Sequence, residues 1–478
     1  LIVESSQLAI GGTLLGLVIA HFTLSFIEKL APPALLPATI GIDLRVLGFA
    51  LGVSVLTTLV VGLWPAFRAT HGHLARSLRD GGRSGSGGRA ALRARRVLVV
   101  AETSLALVLL VCAALVVQSL RHLVDIDPGF VADHVVTMRV SLPAPRYSDT
   151  TQVAFFRDLQ SRLEGRGGIE SVAAANTPPI SGGGIVTGIR LMGMSRPADE
   201  KLSSPVTAVT PGYFRTLGIR VLQGRDVAWS DVNATMVASQ SAAKKYWPGE
   251  SPIGKRVAFG RDSIGLEIVG IVNDTRARGL TTEVPPMLYM HYAGATSVAR
   301  TMSIVVKGRG DLQQIVAETR RTTAEIDRSL PLYNVMPVND LIEVSIGQPR
   351  LNTTLLTAFA VVALVLAVIG IYGVISYSVT QRTQEIGVRV ALGAQAGDVV
   401  RLVLREGAGL ATTGVLLGVG GALLATPLIQ SWLYGIEKGD PKTIVAMAAG
   451  LVAVALAASY LPARRAARVD PLVAMRAD

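Results

Sequence analysis

The two ends of this chain carry the same apolar pattern, and that repeat limits its fold more than any other feature. Leu1-Ile-Val-Glu4, Leu8-Ala9, Gly12 and Leu14-Leu15-Gly16 return as Leu404-Arg405-Glu406, Leu410-Ala411, Gly414 and Leu416-Leu417-Gly418. After a short gap the register resumes. Asp43 then matches Asp440, Pro65-Ala66 matches Pro462-Ala463, Arg68-Ala69 matches Arg465-Ala466, and Arg79 matches Arg476. A repeat of hydrophobic spans is the pattern of membrane proteins built as two pseudo-symmetric halves. The second copy follows a further apolar run and the first does not, so the first half is expected to be incomplete. The chain opens on Leu1 with no signal peptide in view, which the same expectation covers.

Six apolar runs approach the roughly 20 residues that cross a bilayer. They cover residues 8–27, 46–64, 97–120, 355–377, 410–432 and 443–461. Buried helices of soluble proteins are shorter and striped, so six such runs together point to transmembrane helices. Half of the residues are hydrophobic and only 17% charged, against about a quarter in soluble domains. A net charge of +12 raises the question of nucleic acid. The arginines, however, cluster where apolar runs end, and no basic face is interleaved with aromatics, so no nucleic-acid partner is expected. The lone Cys112 lies in an apolar run and leaves neither a disulfide framework nor a cysteine metal site.

Arginine placement sets the expected orientation. Arg68, Arg76, Arg79, Arg83, Arg89, Arg93, Arg95 and Arg96 lie between the second and third runs. Arg382, Arg389, Arg401 and Arg405 lie between the fourth and fifth, and Arg464, Arg465, Arg468 and Arg476 follow the sixth. The opposite loops hold only Lys29 with Arg45, and Lys438 with Lys442. Positive loops stay in the cytosol, so both ends of the chain are expected there, in a multi-pass cell (inner) membrane protein. The long segment after the third run is then outside. The expected organisation is a partial first membrane unit over 1–79, a cytosolic Gly/Ser/Arg linker over 80–95 and a span over 96–120. An outer domain over 121–349 and a second membrane unit of three spans over 350–478 complete it.

Within the runs, Gly12/Gly16, Gly48/Gly52 and Gly414/Gly418 have the spacing that lets helices approach closely, which favours packing over a dedicated dimer interface. Glu102 lies barely one turn inside the third run. A carboxylate within a membrane is a candidate proton site by default. So near the interface, it is expected instead to snorkel or to pair with Arg95 or Arg96.

The outer segment reads as α+β. Residues 135–142, 204–209, 266–272, 287–292 and 302–306 are β-rich. Val153, Phe156, Leu159 and Leu163 share one helical face, and a second helix covers 311–326. Chemistry is scarce here. Gly249-Glu-Ser-Pro-Ile-Gly254-Lys255 imitates a phosphate-binding loop, but Arg256 replaces the required Ser or Thr and Pro252 interrupts it. The histidines at 21, 71, 73, 122, 134 and 291 have no metal-binding spacing, and no nucleophile elbow occurs. No catalytic, cofactor or metal residue is therefore proposed, and the chain is not read as an enzyme.

Arg382-Thr-Gln-Glu385-Ile-Gly-Val-Arg389-Val-Ala-Leu-Gly393-Ala394 resembles the cytosolic signature of FtsX-like/MacB-type ABC transporter permeases. The outer segment agrees. Thr210-Pro-Gly-Tyr-Phe214-Arg-Thr-Leu-Gly218, Gly224-Arg-Asp226, Tyr246-Trp-Pro-Gly249-Glu-Ser-Pro-Ile-Gly254-Lys-Arg256 and Glu267-Ile-Val-Gly-Ile-Val-Asn-Asp274 resemble the family's MacB-type periplasmic core domain. The repeat resembles the duplicated permeases of the family. By that pattern the chain lacks the first span, first outer domain and second span of half one.

The resemblance implies an α-helical membrane protein with six spans and an α+β extracytoplasmic domain of MacB periplasmic-core type. It also implies a separate ABC ATP-binding subunit as partner, so that ATP is bound by that subunit and this chain holds no cofactor. Further expected partners are the lipid bilayer and an extracytoplasmic or envelope protein. Charged groups alternate with Ile386, Val388, Val390, Ala391 and Leu392 in the signature, as in a short amphipathic helix that meets either a partner or lipid alone. The resemblance assigns ATPase coupling to Arg382, Glu385, Ile386, Gly387, Arg389, Ala391, Leu392 and Gly393. The expected function is that of a permease subunit which transmits ATP-driven movement to its outer domain. The alternative is a membrane-anchored sensor or scaffold that binds an outer ligand without ATP. A membrane-bound hydrolase would need an acid–base or metal constellation that is not readable.

Overall fold

The structure, a computed structural model, describes residues 2–30, 43–71, 86–182, 184–193, 202–231, 235–260, 264–436 and 439–468. The chain divides into two compact units, one of residues 1–122 with 347–478 and one of residues 123–346.

The first unit opens with α1 (Ile2–Leu30) and α2 (Leu44–His71), which pack against each other, followed by α3 (Ser86–Val124). The Gly/Ser/Arg stretch read as a linker over 80–95 is helical from Ser86 onward, and residues 80–85 lie outside the described residues. Arg93, Arg95 and Arg96 are good helix formers, and the apolar run that follows carries the helix back through them.

In the second unit the chain forms β1 (Val135–Ser141), α4 (Asp149–Leu163), β2 (Ile169–Ala175), β3 (Ile185–Leu191) and β4 (Leu202–Val209). Then come α5 (Tyr213–Thr216), β5 (Val221–Gly224), β6 (Thr235–Ser239), α6 (Gln240–Tyr246), β7 (Arg256–Phe259) and β8 (Leu266–Val272). β9 (Leu288–His291), β10 (Thr301–Gly308), α7 (Leu312–Ile326) and β11 (Tyr333–Pro337) complete it. All eleven strands belong to one sheet, which has two parts. One is an open antiparallel array, β11-β1-β10-β2. Its core joins Met138, Val140, Ile304 and Val306 to Phe155, Phe156 and Leu159 of α4 and Ile315 of α7.

The other part closes on itself. The order β4-β3-β7-β8-β6-β9 returns to β4 through the parallel β4–β9 pair, Val206 beside Leu288 through Val209 beside His291. Closure removes the free edges that would otherwise template aggregation. Inward positions at period two, Ile189, Leu191, Met236, Ala238, Val257, Ile268 and Leu288, fill the ring with Tyr246 and Trp247. The two parts meet where Ala175 of β2 pairs with Val209 of β4.

The first unit resumes with α8 (Val338–Gln381), α9 (Thr383–Ala391), α10 (Ala396–Ala425) and α11 (Pro441–Ala466). The repeat is visible in local geometry. Asp43 accepts from the backbone N–H groups of Arg45 and Val46 at 3.1 and 2.9 Å, at the start of α2. Asp440 accepts from those of Lys442 and Thr443, both at 3.2 Å, at the start of α11. The same residue type caps the same helix of each copy, meeting donors that have no partner within the helix.

Gly414 and Gly418 let α10 lie against α3. A Cβ at Gly414 would fall 2.7 Å from Thr103 Cβ, and one at Gly418 would fall 2.9 Å from Leu107 Cβ. A Cβ at Gly12, Gly16, Gly48 or Gly52 would meet nothing within 4 Å among the described residues.

Four stretches are long and apolar enough to cross a membrane: Leu92–Val124, Val338–Gln381, Ala396–Trp432 and Pro441–Ala466. The first two apolar runs are helical as well. Their described apolar parts, Ala9–Phe22 and Leu44–Leu56, are shorter, so among the described residues four of the six expected spans meet the length and apolarity of a crossing helix.

Candidate functional site

The signature folds as a short helix between two long ones. α8 ends in a tight turn at Arg382, whose N–H donates to the Ser378 carbonyl at 3.2 Å, and α9 begins at Thr383. It stops just as definitely. Gly393 has φ = +100°, where a side chain would be strained. Its N–H donates to Val390 O, and that of Ala394 to Arg389 O, both at 3.0 Å. This pair of bonds is the Schellman stop, with Gly393 at the left-handed position. A reciprocal box then starts α10, in which the Gln395 side chain and the Asp398 carboxylate each take a backbone N–H. Two defined ends fix how α9 sits.

α9 buries one side. Ile386 is 3% exposed and joins Val99, Ile371, Val374, Ile375, Val399 and Val403 in one cluster, with Gly387 buried beside it. On the other side Glu385 and Arg389 pair at 2.6 Å, both half exposed. Ala391 is exposed, Val388 is 44% exposed and Leu392 84%. α9 thus offers an apolar patch flanked by an ion pair, and the eight signature residues divide between anchor (Ile386, Gly387), ends (Arg382, Gly393) and open face (Glu385, Arg389, Ala391, Leu392).

Sequence reasoning missed the residue on which several elements converge. Glu406 of α10 forms an ion pair with Arg96 of α3, lies 3.7 Å from Arg382 at the head of α9, and accepts from Ser378 Oγ of α8 at 3.1 and 3.2 Å. Its side chain is 21% exposed and that of Arg96 36%. The available signal was a carboxylate near an apolar run, recurring as Glu4 in the repeat; the Glu4 side chain lies outside the described ones. The same bond removes one of the two outcomes expected for Glu102, pairing with an arginine of its own helix, and leaves snorkelling. Arg96 is taken by Glu406, and Arg95 lies over the Tyr377 ring, 4.2 Å from its centre. Among the described residues Glu102 has no ion pair, and it packs against Gly370, where a Cβ would come within 2.5 Å of its carboxylate. Six residues, nearly two helical turns, separate Arg96 from Glu102 on α3, and the partner across the helix interface, Glu406, is nearer.

The outer motifs are brought together as scaffolding. Asp226 takes the N–H groups of Gly212 (3.2 Å) and Val227 (2.7 Å), so Gly224-Arg-Asp226 fastens the Thr210-Pro-Gly turn. Burial pushes the Asp226 carboxyl up to about 6, despite those bonds and nearby Arg215 and Arg225. Asp274 caps α6, accepting from Ser241 N at 2.8 Å and Ser241 Oγ at 2.6 Å. Gly224 passes so close to the backbone of Val269 and Gly270 that a Cβ has no room. The phosphate-loop imitation follows α6 and leads into β7, the reverse of strand–loop–helix, and Lys255 is paired with Glu250.

Apolar helices long enough to span a bilayer, with a sheet-based domain inserted between them, define a multi-helix membrane protein. Residues 357–471 match the FtsX-like permease C-terminal family model, and residues 98–322 match that of the MacB-like periplasmic core domain. The macrolide export ATP-binding/permease protein MacB of Neisseria meningitidis is 28% identical over 322 residues, covering 65% of this chain and 48% of that protein. The uncharacterized ABC transporter permease YknZ of Bacillus subtilis is 26% identical over 326 residues, covering 66% of this chain and 77% of that one. The periplasmic region of MacB from Actinobacillus actinomycetemcomitans superposes with a TM-score of 0.32 at 16% identity, covering 46% of this chain and 95% of that structure. The chain spans about half the length of the MacB relatives it matches, 48% of the first. It is an ABC permease of the MacB type, an FtsX-like permease with a MacB-like periplasmic core domain.

Proposed function

We propose that this chain is the permease subunit of an ABC-type system, in which ATP hydrolysis by a partner subunit moves α9 and, through the spanning helices, the outer domain. One observation carries the reading. α9 is fixed at both ends and through Ile386, yet turns Val388, Leu392 and the Glu385–Arg389 pair outward, as a surface made to be pushed would. An anchor helix that bound only lipid would have no use for an ion pair in the middle of its open face. The named relatives include a macrolide export ATP-binding/permease protein, which supports export or efflux as the process served. The arginine-rich loops support a cytosolic position for α9 and both ends of the chain and an outer one for the 123–346 unit, with an envelope protein as its partner in this reading. In this reading α1 and α2 are also spans, for six in all, and residues 1–79 and 350–478 are the two membrane units.

The test replaces both Glu385 and Arg389 with alanine. An exposed pair at this spacing is worth only about 0.5 kcal/mol, so insertion and folding should survive. Stimulation of the co-purified ATPase should fall at least tenfold, and unchanged stimulation would refute the coupling role. Orientation is read separately, by maleimide labelling of Ser297→Cys from outside and of Gln384→Cys only after permeabilisation. Both positions are exposed, whereas the native Cys112 is buried.

A second reading, an outer-ligand sensor or scaffold, is favoured by a pocket of about 380 Å³ at the mouth of the closed ring. Ile185, Phe259, Leu266 and Met290 line it, with Asn176 and Thr187 as polar groups. A chain that bound ligand there with no ATPase in attendance would support this reading over the first.

A further inference from the structure

An open groove of about 650 Å³ lies among α9, α10 and α11, lined by Arg389, Arg401 and Arg405 with Leu402, Leu404 and Leu456 around them. We propose that it holds an anionic phospholipid, the phosphate between the guanidinium groups and an acyl chain along the leucines. The inference needs no ATP coupling, although Arg389 is common to the groove and to the face proposed above.

Charge is the first argument. Arg401 and Arg405 stand four residues apart on α10, where like charges repel. Both are exposed, and among the described residues neither has an ion pair. The carboxylate at the groove, Asp398, is committed elsewhere, accepting from Gln395 N at 3.1 Å to start the helix. Arg389 is paired with Glu385. Three guanidinium groups thus face one carboxylate at the groove, a balance that favours an anion. Guanidinium forks match phosphate oxygens two at a time, and basic pockets between spanning helices suit lipid headgroups.

Apolar lining is the second argument. Leu402 is 38% exposed, and Leu404 and Leu456 belong to the Ala396–Trp432 and Pro441–Ala466 stretches that are apolar enough to cross a membrane. A free phosphate would satisfy the arginines and leave the leucines uncovered, whereas a ligand with a charged head and a hydrocarbon tail matches both.

The test purifies the full chain in mild detergent and measures, by native mass spectrometry, retention of phosphatidylglycerol and phosphatidylcholine offered at equal concentration. Each basic side chain near such a headgroup is worth about fivefold, so R401Q/R405Q should lose roughly 30-fold of phosphatidylglycerol retention while its weak phosphatidylcholine retention stays the same. Should the double variant misfold, R405Q alone should lose about fivefold. Equal phosphatidylglycerol retention by wild type and variant would overturn the proposal. So would complete displacement of the lipid by millimolar inorganic phosphate, which would make the groove a site for a free anion. Protection of the groove by a nucleotide-binding protein, with no preference between lipids, would make it a protein docking surface and would equally overturn the assignment.

Discussion

Replacing Glu406 by glutamine should loosen the head of α9 from α3 without disturbing the membrane helices. The magnitude follows from exposure. Fully exposed ion pairs contribute at most about 1 kcal/mol, whereas removing one member of a buried pair costs about 3–5 kcal/mol. With 36% and 21% of their side chains exposed, Arg96 and Glu406 fall between, at about 2 kcal/mol. Nε of Arg96 is buried with no partner among the described residues, so the guanidinium depends on Glu406 for its compensation. Arg382 adds little, being 3.7 Å away and 46% exposed. Ser378 adds one hydroxyl proton, shared between the two carboxylate oxygens, and glutamine keeps one acceptor for it. E406Q should then cost about 2 kcal/mol, and E406A about 3 kcal/mol once the Ser378 bond is lost as well. Thermal unfolding of the purified chain in detergent measures both. A double-mutant cycle with R96Q should return a coupling energy of at least about 1 kcal/mol, because the two side chains act as one unit. Proteolysis within 382–395 should accelerate in E406Q before any global unfolding. A cost for E406Q below about 0.5 kcal/mol, or a coupling energy of zero, would refute the anchoring argument.

In the sheet unit, D274A removes the two bonds from Ser241 at the start of α6, leaving the Ser239 cap, and should cost about 1 kcal/mol, read as a lower Tm. G418A should cost about 1–3 kcal/mol, since its new Cβ meets Leu107 at 2.9 Å, whereas G16A has open space and should be neutral by the same assay. The Asp226 carboxyl, held up to about 6, binds its proton in the folded state where the unfolded chain has released it. Its contribution to stability is therefore full below about 4 and is lost as pH rises towards 6, opposite to the usual carboxylate, and D226N should flatten that slope in pH-dependent unfolding.

The sequence carried the outer unit unevenly, for physical reasons. Residues 266–272 are read as a strand with the bounds the structure gives them, because Leu266, Ile268, Ile271 and Val272 form a dense β-branched and apolar run. β5 (Val221–Gly224) is wholly exposed and held by its pairing with β8, so no burial pattern marks it. β2 is written Ile-Glu-Ser-Val-Ala-Ala-Ala, where the alanines favour helix by propensity. Between β10 and β4, tertiary pairing overrides that preference, and nothing local announces it. The closure of the ring through the β4–β9 pair is beyond any single-segment reading.

The α9 region shows the same division more sharply. Its ends are local and therefore legible: Gly393 is needed for a left-handed stop, and Gln395 with Asp398 forms a starting box within four residues. Its anchor is not. Glu406 gains its role only when α3, α8 and α10 converge on it, joining Arg96 to a residue 310 positions away. A carboxylate near the end of an apolar run looks costly in sequence, and the nearest arginines in the chain seem the obvious remedy. That reasoning let Glu102 snorkel or pair with Arg95 or Arg96. The helix interface chose otherwise, because Arg96 meets Glu406 across it, while Gly370 gives Glu102 room to lie against α8. Small residues are thus what decide the ion pairing here. Gly414 and Gly418 bring α10 against α3, and the charge partners follow from that approach. If so, widening the contact with G414L should weaken the Arg96–Glu406 coupling energy measured above, even though neither charged residue is touched. A coupling energy that survived G414L unchanged would show that the ion pair, and not the glycine contact, sets the helix spacing.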